Sequence, residues 1–255
     1  MIDELLLFVG GATAGLVGGY LGVGGGTILV PYLTLVTGLD IKTAVPVSLA
    51  GVAVNSVASS TPYLRMGMVD FELVVVVSVF MVMGNIAGST LSAIVSPDVI
   101  RIIFALTLVY TAITLLRGRQ ETARLDFAVN RRRAILLSIP FTLLIGTLSG
   151  LVGLGGAELL IPLLYLMTVL PMGTARGTAL FSVGFSAAAA LAVYLTRGQI
   201  ALQAIAPVVV GIVLGGRLGA SFGTRARPLA VRAAFSIMLL YLAYKLGWMP
   251  LWTIM

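Results

Sequence analysis

The chain contains no cysteine and no histidine in its 255 residues. Their absence excludes disulfide bonds, metal or haem ligation by Cys or His, and any nucleophile–His dyad. No cofactor is expected. Charge is scarce as well: 10% of the residues are Asp, Glu, Lys or Arg, where a soluble domain averages about 25%. Apolar residues make up 59% of the chain, and the mean hydropathy is +1.11. This composition predicts an all-α integral membrane protein with several spans. Met1 leads into Asp3 and Glu4 rather than a basic stretch, so no signal peptide is expected. The net charge of +7 points to no nucleic acid, because the arginines fall in short segments between apolar runs, as topology signals do.

The most informative stretch is Gly22-Val23-Gly24-Gly25-Gly26-Thr27, closed by Pro31, inside an apolar run over residues 4–36 that holds no Lys or Arg. Each glycine costs about 1 kcal/mol relative to Ala in a helix interior, so this run reads as a helix broken inside the membrane. Non-helical backbone is tolerated there only when buried in protein or lining a cavity. A near copy, Gly153-Leu154-Gly155-Gly156-Ala157-Glu158 closed by Pro162, follows 131 residues later within 134–167. The same offset pairs Gly15 with Gly146, Tyr63 with Tyr194, Gly84 with Gly215, Gly88 with Gly219, Pro97 with Pro228 and Arg101 with Arg232. The chain is therefore a duplicated unit. Residues 1–116 form the first membrane repeat, 117–133 a basic connector and 134–255 the second repeat, together one membrane domain. Further spans are expected at 44–60, 71–95 and 99–116, and at 175–195, 201–222 and 229–246.

Each run, 33 and 34 residues long, would extend about 50 Å as a helix, against a hydrocarbon core of about 30 Å. A broken or re-entrant helical hairpin fits that length, followed by three transmembrane helices in each half. Each half then makes an odd number of crossings, which inverts the second relative to the first. With the amino terminus outside, the cytoplasmic side holds the six arginines of the connector with Arg65, Arg176, Arg217, Arg225, Arg227 and Arg232. The outside holds Lys42, Arg101, Arg197 and Lys245. Positive charge inside favours this arrangement, with both termini outside the cell membrane.

A helix N-terminus offers unpaired N–H groups and about half a positive charge, and glycine lets a ligand approach them. Two such ends converging at the midplane would hold a small anion without Lys or Arg, as in transporters built from inverted repeats with discontinuous helices. The candidate substrate-binding residues are Gly22, Gly24, Gly25, Gly26 and Thr27 in the first break. In the second they are Gly153, Gly155, Gly156, Ala157 and Glu158. Ser48, Asn55 and Ser59 form a polar stripe on the span after the first break, and Thr178, Ser182 and Ser186 a similar stripe after the second. Of these, Ser48, Asn55, Ser182 and Ser186 are the candidates to line the path, although such side chains also bond helix to helix. Glu158 has two readings, a cap for its own helix or a titrating group that couples protons to transport.

The pattern Gly15, Gly19, Gly22-Val23-Gly24-Gly25-Gly26 with Pro31, Ser48-Leu49, Tyr63 to Gly67 with Asp70, and Gly84 to Gly88, recurring in the second half, resembles the sulfite exporter family TauE/SafE. The resemblance covers nearly the whole chain and implies a secondary transporter of a small sulfur-containing anion such as sulfite, thiosulfate or an organosulfonate. Ala157 and Glu158 depart from the first copy, so the site is not expected to be symmetric. A passive anion channel shares these features except for two gated states. A membrane-embedded enzyme fits worst, because the chain offers few acid–base groups.

Overall fold

A computed structural model describes residues 4–21, 24–116, 131–168, 170–198, 200–223 and 229–254. Side chains are described for these except 21, 220–223, 229–232 and 248–254. The described residues form ten helices and no strand. They are α1 (Glu4–Leu21), α2 (Gly26–Leu35), α3 (Ile41–Arg65), α4 (Phe71–Leu91) and α5 (Pro97–Leu116), then α6 (Arg131–Val152), α7 (Ala157–Met167), α8 (Met172–Thr196), α9 (Leu202–Gly223) and α10 (Leu229–Ile254). Six of them, α3, α4, α5, α6, α8 and α9, are long and apolar enough to cross a membrane. Each helix of the first half returns 131 residues later as a helix of the second. The connector residues 117–130 and Gly22 lie outside the described residues.

The helices differ from the expected spans mainly at their ends. The third helix is longer than 44–60 at both ends. It starts where the Asp40 carboxylate accepts from the Lys42 N–H at 3.1 Å, and its inner prolines, Pro46 and Pro62, sit near its two ends. The fourth stops at Leu91 rather than residue 95, in a turn before Pro97. The last continues beyond 246 to Ile254. Pro31 and Pro162 do not close the breaks but lie inside α2 and α7. A proline there costs one helical bond: Pro31 cannot donate to the Thr27 carbonyl, nor Pro162 to that of Glu158.

Side-chain contacts fix the course of the helices. At one end of the bundle Asp40, before α3, lies 3.7 Å from Arg101 in the first turns of α5. Lys42 donates there to the Ala93 carbonyl, and Arg197, at the end of α8, donates to the Ser89 and Thr90 carbonyls of α4. At the other end Asp70, before α4, takes a 2.7 Å bond from Arg131 at the start of α6. Its N–H donates to Thr178, near the start of α8. Helices α3 and α8, equivalent by the 131-residue offset, thus run in opposite directions. So do α5 and α10, since Gly247 lies on Ala105 while Ser236 bonds to the Ala112 carbonyl.

The packing is interlocked rather than side by side. Helix α1 packs along α9 of the other half, and α6 along α4. In lipid the drive for such contacts is close packing, which small residues permit. A Cβ placed on Gly88 would lie 2.0 Å from the Thr147 carbonyl oxygen, and one on its equivalent Gly219 would lie 2.0 Å from that of Leu16. Backbones this close leave no room for any side chain. A buried core of Leu49, Met81, Phe104, Leu108, Leu160, Leu180 and their neighbours fills the space between α3, α4, α5, α7 and α8.

Candidate functional site

The glycines of the two breaks take backbone conformations that other residues adopt only with strain. Gly25 (φ 92°) precedes α2, and Gly156 (φ 86°) precedes α7, both left-handed. Each turns the chain so that the short helix runs back beside the long one. Gly25 lies against Ala14 of α1, and Tyr32, further along α2, donates to the Leu6 carbonyl at 2.9 Å. Gly156 in turn lies against Ile145 and Ser149 of α6. Both runs are therefore hairpins, and their short helices start inside the bundle, beside the long ones.

The two breaks touch. A Cβ on Gly26 would lie 2.6 Å from the Leu154 carbonyl oxygen and 2.8 Å from that of Gly153. Neither short helix has a side-chain cap. Among the described residues, the N–H groups of Gly26, Thr27, Ala157 and Glu158 donate to no backbone carbonyl. Two unsatisfied helix N-termini thus meet inside the bundle, an arrangement able to donate several hydrogen bonds to one small acceptor.

Helix α3 pins both breaks. Ser48 Oγ donates to the Gly153 carbonyl of the second break at 2.9 Å, and Asn55 Nδ2 donates to the Gly24 carbonyl of the first at 2.9 Å. The two residues lie two turns apart on one face, as their spacing predicts. Asn55 also takes a 3.4 Å contact from Ser59. The second stripe behaves differently. Ser186 bonds back to the Val183 carbonyl of its own helix, Ser182 Oγ is buried without a partner, and Thr178 serves Asp70 at the bundle end. Asn85 donates to the Met81 carbonyl of its own helix at 3.1 Å.

Thr27 and Glu158, equivalent by the offset, are brought together where the breaks meet. Glu158 is 5% exposed, and neither carboxyl oxygen is in hydrogen-bond geometry with a partner. The polar groups that bear on it are its own N–H and the Thr27 hydroxyl. Sequence reasoning missed Val52 and Val183, an equivalent pair whose methyls both flank Gly155. The offset itself was the signal, since it relates them. It also missed Tyr194, whose buried hydroxyl bonds to Ser92 Oγ and the Gly150 carbonyl, each at 2.9 Å.

These features define a multi-pass membrane protein built around two broken helices, with no grouping of His, Cys, Asp or Glu among the described residues that could hold a metal. The profile of the sulfite exporter TauE/SafE family matches residues 7–246, and the chain belongs to that family, a family of membrane transporters. It is similar to a probable membrane transporter protein of Xylella fastidiosa strain Temecula1, 27% identical over 88% of this chain and 87% of that one. It is also similar to the probable membrane transporter protein YunE of Bacillus subtilis, 23% identical over 95% and 96%. A third relative is the probable membrane transporter protein MJ0441 of Methanocaldococcus jannaschii, 22% identical over 92% and 91%. No solved structure matches the chain.

Proposed function

We propose that the protein is a secondary transporter that moves a small sulfur-containing anion, such as sulfite, thiosulfate or an organosulfonate like sulfoacetate, by alternating access. The observation that carries this is the meeting of two uncapped helix N-termini inside the bundle, each preceded by a left-handed glycine. The anion would lie against the N–H groups of Gly26, Thr27, Ala157 and Glu158. Ser48 and Asn55 would hold the two breaks at the spacing it needs. Family membership supports the substrate class, and turnover chemistry has no part in this reading.

The opposite courses of α3 and α8 support inverted repeats in the cell membrane. Lys42, Arg101 and Arg197, three of the four cations assigned outside, gather at one end of the bundle, and Arg131 lies at the other. That distribution supports both termini outside and residues 117–133 in the cytoplasm. Uptake of labelled sulfite, thiosulfate and sulfoacetate into proteoliposomes tests the function, with Gly24→Ala as the site variant. A Cβ at Gly24 meets only Val52, at 3.8 Å, so its cost is the left-handed backbone alone (φ 79°), about 1–2 kcal/mol; folded Gly24→Ala should carry a methyl at the site and lower affinity at least tenfold. Transport no faster than in empty vesicles for all three anions would remove the proposal. Unchanged affinity in folded Gly24→Ala would remove the site.

A further inference from the structure

We infer that Glu158 is a proton-binding site of the transport cycle, and that one proton crosses with each anion on this carboxyl. The inference rests on the anion site proposed above. A carboxylate that merely capped α7 would accept hydrogen bonds from the first N–H groups of its helix. At Glu158 the one such N–H that bears on the carboxyl is its own, beside the Thr27 hydroxyl, and neither carboxyl oxygen is in hydrogen-bond geometry with either. Among the described residues no counter-charge compensates it. The charged groups of α6, Arg131, Arg132 and Arg133, stand in its first turn, and those of α8, Arg176 and Arg197, near its two ends. The helices α2 and α7 carry no other charged residue, and α3 has only Lys42 and Arg65, again near the ends. None is in ion-pair contact with Glu158. Among the described residues the other buried titrating groups are Tyr165, two turns further along α7, and Tyr194 of α8, which is committed to Ser92 and Gly150.

An unpaired ionised carboxylate at this depth is costly, and beside a bound anion it is repulsive. The neutral acid has neither problem, and its O–H adds a donor to the N–H groups around it. In the cycle, the carboxylate takes a proton from hydronium on the entry side, leaving water. The anion then binds against the O–H. After the site opens to the other side the anion leaves, and the proton passes to water there. No other bond forms or breaks. Thr27 occupies the equivalent position in the other half and faces the same space, so a carboxyl should work from either side of the contact.

That equivalence supplies the test. Thiosulfate is the probe, because it stays ionised between about pH 5 and pH 8 and its own titration cannot mimic coupling. Purified protein in proteoliposomes is given a pH gradient, with the membrane potential clamped at zero, and accumulation is scored against each variant's own thiosulfate exchange. The wild type should accumulate thiosulfate about tenfold per pH unit of gradient, the ratio for one proton per anion. Glu158→Gln should lose that response, and the double variant Thr27→Glu/Glu158→Thr should recover most of it. A wild type that exchanges thiosulfate but ignores the gradient overturns the inference, as does a Glu158→Gln response equal to wild type. A double variant that exchanges yet ignores the gradient also overturns it. Exchange absent from the wild type would instead remove the transport reading beneath it.

Discussion

The two halves follow one path through the bundle, yet the same position does different work in each. Tyr194 is 1% exposed and bonds to Ser92 and Gly150. Tyr63, its equivalent, is half-buried and makes no hydrogen bond through its hydroxyl among the described residues. The counterpart of Ser92 is Gly223, which offers no hydroxyl. Arg197 ties the end of α8 to α4, whereas its counterpart is Met66. At the breaks, Gly26 and Thr27 face Ala157 and Glu158. Duplication set the backbone, and the side chains then diverged where the halves touch. Symmetric positions therefore set the backbone course and the breaks, and asymmetric ones set which side-chain contacts each half makes.

The strongest way to test the symmetric part is to break it twice. Gly88→Val and Gly219→Val should each destabilise the protein by about 3 kcal/mol, since a side chain meets a backbone carbonyl in both. Thermal melts in detergent should fall by similar amounts for the two, and a marked inequality would show that the interlock is not equivalent. A smaller effect should appear at the breaks. Gly26→Ala pushes a methyl into the Leu154 carbonyl and should cost about 2 kcal/mol. The converse change, Ala157→Gly, should cost under about 1 kcal/mol. Equal melts for these two would mean the breaks can part without loss. The smallest difference should come from the tyrosines. Tyr194→Phe leaves Ser92 and the Gly150 carbonyl short of a partner and should cost about 1–2 kcal/mol. Tyr63→Phe should stay within about 0.5 kcal/mol, and a larger loss would place Tyr63 in a contact this conformation does not display.

Much of this architecture was legible beforehand because glycine and proline carry backbone information directly. Two glycine clusters 131 residues apart located both breaks, and the offset paired every helix with its equivalent. The face bearing Ser48 and Asn55 was legible from spacing, but its targets were not. Nothing in the sequence says that Ser48 reaches the break of the opposite half while Asn55 holds its own, because that depends on how the halves interlock. Pro31 and Pro162 misled for a related reason. They were read as stops, but a helix tolerates proline near its start, where it removes only a bond to the first turn. Tyr194 was paired with Tyr63 by register, and register hides the difference in burial between them.

The interlock has a consequence for how the chain is made. The glycine face of α1 meets α9, a partner synthesised about two hundred residues later, and α6 meets α4 from the half before it. A nascent first half therefore enters the membrane with α1 packed on α2 but its glycine face unmatched, and must hold that face until almost the whole chain has emerged. Neither half carries a complete set of its own neighbours. Assembly thus closes late, at the point where α9 slides along α1 and the two breaks are pressed together. Quality control acting before that moment would meet an exposed glycine groove, and after it a single sealed bundle.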